Sequence, residues 1–80
     1  MSLGIDWNDA VKKDVKGIID EDLGKIKGIY NDYLIVERGV ANKECFYIPK
    51  DEVKSYDGKY LRTNLSEEEV KRKYMRNSPP

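Results

Sequence analysis

Turn-forming residues interrupt this chain so often that its longest apolar run is four residues, Tyr33-Leu34-Ile35-Val36. That punctuation narrows the folds open to it. A membrane span needs about 20 consecutive apolar residues, and an amphipathic helix repeats its apolar positions over about 10–12. Brief apolar runs between Gly, Pro, Asn and Asp read instead as strands, whose side chains alternate between two faces.

Val15-Lys16-Gly17-Ile18-Ile19 is read as the first strand, and Asp20-Glu21-Asp22-Leu23-Gly24 as a turn closed by a glycine able to take positive φ. Lys25 to Tyr30 alternates around Gly28, which invites a bulge or a sharp bend. Asn31-Asp32 tolerates left-handed backbone, so Lys25–Tyr30 and Tyr33–Arg38 are expected to form a hairpin. After a turn at 39–42, the strand Glu44–Ile48 stops at Pro49, which has no N–H to give a sheet. Val53–Tyr56 is a brief strand, Asp57-Gly58 a tight turn, and Lys59–Leu65 the last strand. Phe46, Ile48, Val53, Leu61 and Leu65 form the expected core set, with Leu61, Thr63 and Leu65 on one face.

The period then changes. Ser66-Glu67-Glu68-Glu69 reads as a capping box, in which Ser66 accepts from the Glu69 N–H and the Glu69 carboxylate reaches back to the Ser66 N–H. Acidic residues fill the first turn, and Lys71, Arg72, Lys73 and Arg76 follow, as the helix dipole favours. Val70 and Tyr74 lie on one stripe, which would lay the helix across the mouth of the sheet. Residues 1–13 form an N-terminal segment in which Trp7 and Val11 suit a short helical turn, and Met1-Ser2-Leu3 reads as a leader outside the fold. Residues 14–65 are expected to form the β domain, 66–76 the helix and 77–80 a frayed tail.

Both alternating sets are apolar in two strands: Tyr33 and Ile35 oppose Leu34 and Val36, and Cys45 and Tyr47 oppose Phe46 and Ile48. A one-sided sheet does not read so. Either a terminal helix or the curl of the sheet covers the second face, or that face is an aromatic patch for binding. The chain has six tyrosines and one tryptophan, and tyrosine is enriched at interaction surfaces. Tyr33, Tyr47, Tyr56 and Tyr60 are the candidate partner contacts.

Most chemistry is disfavoured by residue type. There is no histidine, the usual acid–base group near neutral pH, and the single cysteine, Cys45, has no histidine to activate it. The acidic turn 20–22 lacks the ligand spacing of an EF-hand, and the glycines match no phosphate-binding loop. No cofactor or metal is expected, and the chain is read as not an enzyme. Fifteen basic and fifteen acidic groups cancel, which argues against a dedicated nucleic-acid binder. Lys71, Arg72 and Arg76 with Tyr74 nevertheless offer an alternative, phosphate contact with RNA. A lone cysteine and the lack of a span or signal peptide fit the cytoplasm. At this length only about 60–65% of the unfolded surface is buried, so a closed sheet, a docked terminus or a second copy is expected to help.

The segments Val15–Ile19, Leu23–Tyr30, Tyr47–Val53 and Tyr56–Leu61 together resemble the PRC-barrel family. Its signature is a glycine-led hairpin start, then an apolar strand ending in Ile-Pro with an acidic residue and a valine soon after. Gly24, Ile26, Ile29, Ile48, Pro49 and Val53 occupy those places. The resemblance implies a mainly β fold: a small, strongly bent antiparallel barrel of about five or six strands with a short C-terminal helix, in which Gly24, Gly28, Pro49, Gly58, Ser66 and Glu69 are structural. It implies binding of other macromolecules without catalytic residues. Family members include the cytoplasmic domain of the photosynthetic reaction-centre H subunit, the C-terminal domain of the ribosome-maturation factor RimM, and stand-alone archaeal proteins linked to cell division. The expected partner is therefore another protein, a second copy included, with RNA or the ribosome as the alternative; an archaeal source would suit the composition.

Overall fold

A computed structural model describes residues 4–39 and 43–76, which leaves the leader, part of the 39–42 turn and the tail outside it. The chain is mainly β. A short helix α1 (Trp7–Ala10) precedes β1 (Asp14–Lys16), β2 (Asp22–Tyr30), β3 (Tyr33–Arg38) and β4 (Glu44–Pro49). A 3₁₀ turn (Lys50–Glu52) leads to β5 (Val53–Tyr56) and β6 (Tyr60–Thr63), then to helix α2 (Glu67–Tyr74) and a final short strand, β7 (Met75–Arg76). All seven strands form one sheet in the order β5-β6-β1-β2-β3-β4-β7. Its edges are β5 and β7, and among the described residues no pairing joins them.

The expected hairpin is present. Tyr30 faces Tyr33 across the Asn31-Asp32 turn, Asn31 takes φ +52°, and a bulge falls between Ile26 and Gly28. Alternation then sorts the core: Leu34 and Val36 point inward with Phe46 and Ile48, and all four are buried together with Val53, Leu61 and Leu65. Ala10 of α1 and Val70 of α2 belong to the same cluster. Both helices therefore pack on the core side of the sheet.

The structure departs from the sequence reading in several places. With β5 and β7 not paired to each other among the described residues, the expected barrel of five or six antiparallel strands is instead a seven-stranded sheet that is not closed. The last expected strand ends at Thr63 and not Leu65. The first strand ends at Lys16 rather than Ile19, because Gly17 N–H donates to Glu21 O (2.8 Å) and turns the chain. A Cβ at Gly17 would overlap the Glu21 carboxylate and lie 2.8 Å from Leu65 O. Ile18 and Ile19 consequently face solvent, 59% and 79% exposed. The following turn is shorter than expected: Asp22 already belongs to β2, and Leu23 is fully buried.

The sheet is also not wholly antiparallel. β1 pairs with β2 on one side and runs parallel to β6 on the other, with Val15 beside Leu61. The chain starts at the middle of the sheet, fills one side through β4, and returns by way of the 3₁₀ turn and β5. Thr63 Oγ1 donates to Lys16 O (3.1 Å) across that parallel pair. Finally, the helix ends at Tyr74, since Met75 takes ψ 136° and pairs with Phe46, which makes a seventh strand.

The capping box forms as expected. Ser66 Oγ accepts from Glu69 N, and Ser66 N donates to Glu69 Oε1, each at 3.1 Å. The Ser66 N–H holds the Glu69 carboxyl below its ordinary value against the opposing effect of burial. Ser66→Ala is expected to lower stability by about 1 kcal/mol, read as a shift in the urea midpoint without a change in slope.

Candidate functional site: the outer side of the central hairpin

With both helices on the core side, no described element lies over the outer side of β2, β3 and β4. Register places its residues in rows. Nearest the hairpin tip stand Tyr30, Tyr33 and Pro49; the next row holds Gly28, Ile35 and Tyr47; the last holds Lys25, Glu37, Cys45 and, through β7, Arg76. Tyr30 and Tyr33 are 47% and 41% exposed. Ile35, Cys45 and Tyr47 are half-buried by their neighbours. The result is an apolar and aromatic strip three strands wide, bounded at one end by charge.

Tyr47 lies at the heart of the strip. The Arg76 guanidinium lies 5.8 Å from its ring centroid, a cation–π contact that β7 makes possible by lifting Arg76 out of the helix. Burial pushes the Tyr47 hydroxyl up in pKa, Cys45 adds to the rise, and Arg76 opposes it. That hydroxyl is covered yet has no hydrogen-bond partner among the described residues. An unmade bond at a covered polar atom costs about 1–3 kcal/mol. Cys45, one row over, is half-buried, and burial and then Glu37 raise its thiol, so it is not an activated nucleophile.

The other predicted contacts are placed elsewhere. The Tyr56 hydroxyl donates to Asp9 Oδ2 at 2.5 Å, with Asp9 O at 3.2 Å, and ties β5 to α1. That hydrogen bond, followed by burial, pushes its pKa up to about 12, so this tyrosine is a tether. The Tyr60 ring has Lys16 Nζ at 5.3 Å, Lys59 Nζ at 5.4 Å and the Arg62 guanidinium at 6.0 Å. Arg62 is itself bound by Asp20 at 2.5 Å. Gly58 takes φ +90° in the turn beneath Tyr60, where Asp57 Oδ1 accepts from the backbone N–H of Lys59 and Tyr60. Lys71, Arg72 and Arg76 do not form one constellation. Lys71 reaches Glu44 and Glu67 at 3.8 and 3.7 Å, Arg72 is exposed on α2, and Arg76 stands on Tyr47.

Tyr30 and the exposed Ile18-Ile19 tip are surface features that the sequence reading did not single out. Tyr30 was detectable, because a two-residue hairpin turn puts it opposite Tyr33 on the same face. The isoleucines were not, since their exposure follows from a turn made by Glu21.

A groove of about 600 Å³ opens beside the strip, lined among others by Lys12, Asp14, Lys25, Lys27, Glu37 and Arg38. Its described lining residues carry no hydroxyl, thiol or imidazole. Its described carboxylates are engaged, Asp14 with Lys25 at 3.7 Å, Glu37 with Lys27 at 3.5 Å, and Asp22 Oδ1 accepting from Gly24 N–H at 3.0 Å. Among the described residues no three His, Cys, Asp or Glu side chains cluster as metal ligands. No described helix is long and apolar enough to cross a membrane.

Fold and surface together define a single-sheet β protein whose most distinctive feature is an outer aromatic strip. No family model, no curated protein and no solved structure matches this chain.

Proposed function

We propose that this chain is a non-enzymatic protein-binding module of PRC-barrel type, which docks a partner protein against the outer side of β2, β3 and β4. The observation that carries the reading is the strip Tyr30, Tyr33, Ile35 and Tyr47, which the fold leaves open by placing both helices on the other side of the sheet. Apolar side chains on both faces of a strand need a cover on both faces, and only one cover is present among the described residues. Rigid aromatics lose little entropy on docking and carry much of the energy of protein interfaces. The mechanism is static: the barrel-like curl holds the strip, and the partner covers it.

An alternative reading, contact with RNA, has one observation in its favour, the three cations around Tyr60. It requires binding that falls steeply with salt and depends on Tyr60, Lys71, Arg72 and Arg76.

The double substitution Tyr33→Ser with Tyr47→Ser tests the main reading. The expected result is loss of the larger species in size exclusion and of protein co-eluting in pull-down, with the melting curve still cooperative. Unchanged elution and unchanged pull-down in a folded double variant defeat the reading.

A further inference from the structure

The outer strip has two unlike ends, and their charges are opposite. At the β7 end stand Lys25, Lys27, Lys43 and Arg76 against two carboxylates, Asp14 and Glu37. Glu37 is shared, with Lys27 and Lys43 each 3.5 Å from one of its oxygens, so this end keeps a net positive charge. At the hairpin end stand the exposed rings of Tyr30 and Tyr33 with Asp32 in the turn between them. The 3₁₀ turn is held to that tip by Lys50 N–H donating to Asp32 O at 2.8 Å, which brings exposed Asp51 alongside. The Lys50 amine is turned away, 5.2 Å from the Trp7 ring of α1, so the acidic charge at this end is not offset by it.

Between the two ends lies a notch. Gly28 sits in the middle row beside Ile35, and a Cβ built there would meet nothing within 4 Å. Its φ is not in the left-handed range, so neither backbone nor packing demands glycine. The absent side chain leaves a depression beside Ile35, with Tyr47 on the far side of Ile35.

A surface with a positive end and a negative aromatic end is complementary to a second copy of itself laid over it with the ends exchanged. We propose that the occupant of the strip is a second copy of this chain, docked face to face about a two-fold axis that lies in the interface across the strands, along the row of Gly28, Ile35 and Tyr47. This deepens the binding-module reading and rests on it. Such an isologous contact pairs each surface patch with the same patch of the other copy. The antiparallel setting lays the lysines and Arg76 of each copy over Tyr30, Tyr33 and Asp32 of the other, combining cation–π attraction with opposite charge. The parallel setting would oppose like ends. At the centre, on the axis, Ile35 of each copy meets Ile35 of the other.

The footprint sets the strength. Three strands about 4.8 Å apart and six residues long, at about 3.3 Å each, project onto roughly 300 Å². That is the scale of a weak, concentration-dependent dimer and not of an obligate one.

Sedimentation velocity across roughly 10 to 500 μM tests this with two charge-reversed chains. One carries Lys27→Glu and Arg76→Glu, the other Asp32→Lys and Asp51→Lys. The wild type is expected to dimerise within that range, and each reversed chain alone to do so at least about tenfold more weakly. Mixed in equal amounts, the two should restore a dimer, because each basic end then faces an acidic one. Ile35→Lys should set two like charges against each other on the axis and abolish dimerisation while still melting cooperatively. A wild type that stays monomeric throughout, or reversed chains that fail to recover on mixing, overturns self-docking. If the wild type is monomeric but Tyr33→Ser with Tyr47→Ser still strips a co-eluting protein, self-docking fails and the binding-module reading survives.

Discussion

Gly24→Ala should be the most damaging single methyl that can be added to this protein. Gly24 holds φ +114° inside β2, where an L side chain is strained, and a Cβ there would lie 2.5 Å from Glu37 O and 3.0 Å from Arg38 Cβ. The obstacle is backbone of the neighbouring strand, which cannot give without opening the β2–β3 ladder. The left-handed strain alone costs about 1–2 kcal/mol. Overpacking against a fixed neighbour adds about 1–3 more. A domain of this size has a total stability of about 4–12 kcal/mol, so a loss of about 3 kcal/mol removes much of it. The expected readout is a fall in Tm of about 12–24 °C. Gly28→Ala, four residues along the same strand, is the control: with open space and ordinary backbone it should change Tm by a few degrees at most, on the order of 0.5 kcal/mol. Equal losses at the two glycines would mean that position 24 is not the close approach described.

Arg38→Ala should be the next largest loss, because one side chain joins four parts of the fold. From the end of β3 its guanidinium donates to Glu44 Oε1 of β4 (3.1 and 2.7 Å), to Glu67 Oε2 of α2 (2.6 Å) and to Asp22 O of β2 (3.1 Å). It also lies 5.8 Å from the Phe46 ring centroid, and its side chain is only 19% exposed. Removing it leaves Glu44 and Glu67 facing each other with Lys71 as their shared cation. Charge-assisted bonds of this kind contribute about 1.5–3 kcal/mol, and the variant should lose stability on that scale.

The same contact gives the pH dependence a direction. The hydrogen bond from Arg38, followed by its charge, holds the Glu67 carboxyl below the ordinary 4.5. At Glu21, burial raises the carboxyl, but the backbone N–H groups of Glu21, Ile19 and Glu67 together bring it below 4.5. Groups with a lowered folded pKa add stability that is complete above the unfolded value and is lost as pH falls through the folded one. Wild-type stability should therefore be flat near neutrality and decline as pH drops below about 4.5. In Arg38→Ala that decline should be shallower, because Glu67 no longer contributes to it. Parallel acid limbs in the two proteins, measured by urea unfolding across pH, would show that Glu67 is not held by Arg38.

How far the sequence reached can be judged from particular elements. The hairpin across Asn31-Asp32, the stop at Pro49 and the Ser66–Glu69 box are local. Each depends on residues within a few positions of one another, so turn chemistry and alternation were enough to place them. Alternation likewise picked Phe46, Ile48, Val53, Leu61 and Leu65 as core, since period-two burial needs no knowledge of strand partners. The strand Val15–Ile19 was misjudged because the chain turns where Gly17 N–H donates to Glu21 O and Ile18 N–H donates to Leu65 O, the latter supplied by the far end of the domain. The β1–β6 parallel pair and the β7 strand were hidden for the same reason: neither partner lies near the other in sequence.

The binding surface divides along the same line. Composition and residue type argued against histidine chemistry, phosphate loops and membrane spans, and the double apolar pattern of Tyr33–Val36 and Cys45–Ile48 announced that two faces needed covers. Strand order decided which tyrosines could act together. It sent Tyr56 to Asp9 and surrounded Tyr60 with cations, and it gathered Tyr30, Tyr33, Ile35 and Tyr47 into one strip with Arg76 at its rim. Alternation along a strand is a property of the backbone and is written into neighbouring residues. Which strands lie side by side is set by the global cost of burying one shared core, and only the folded chain reports its outcome.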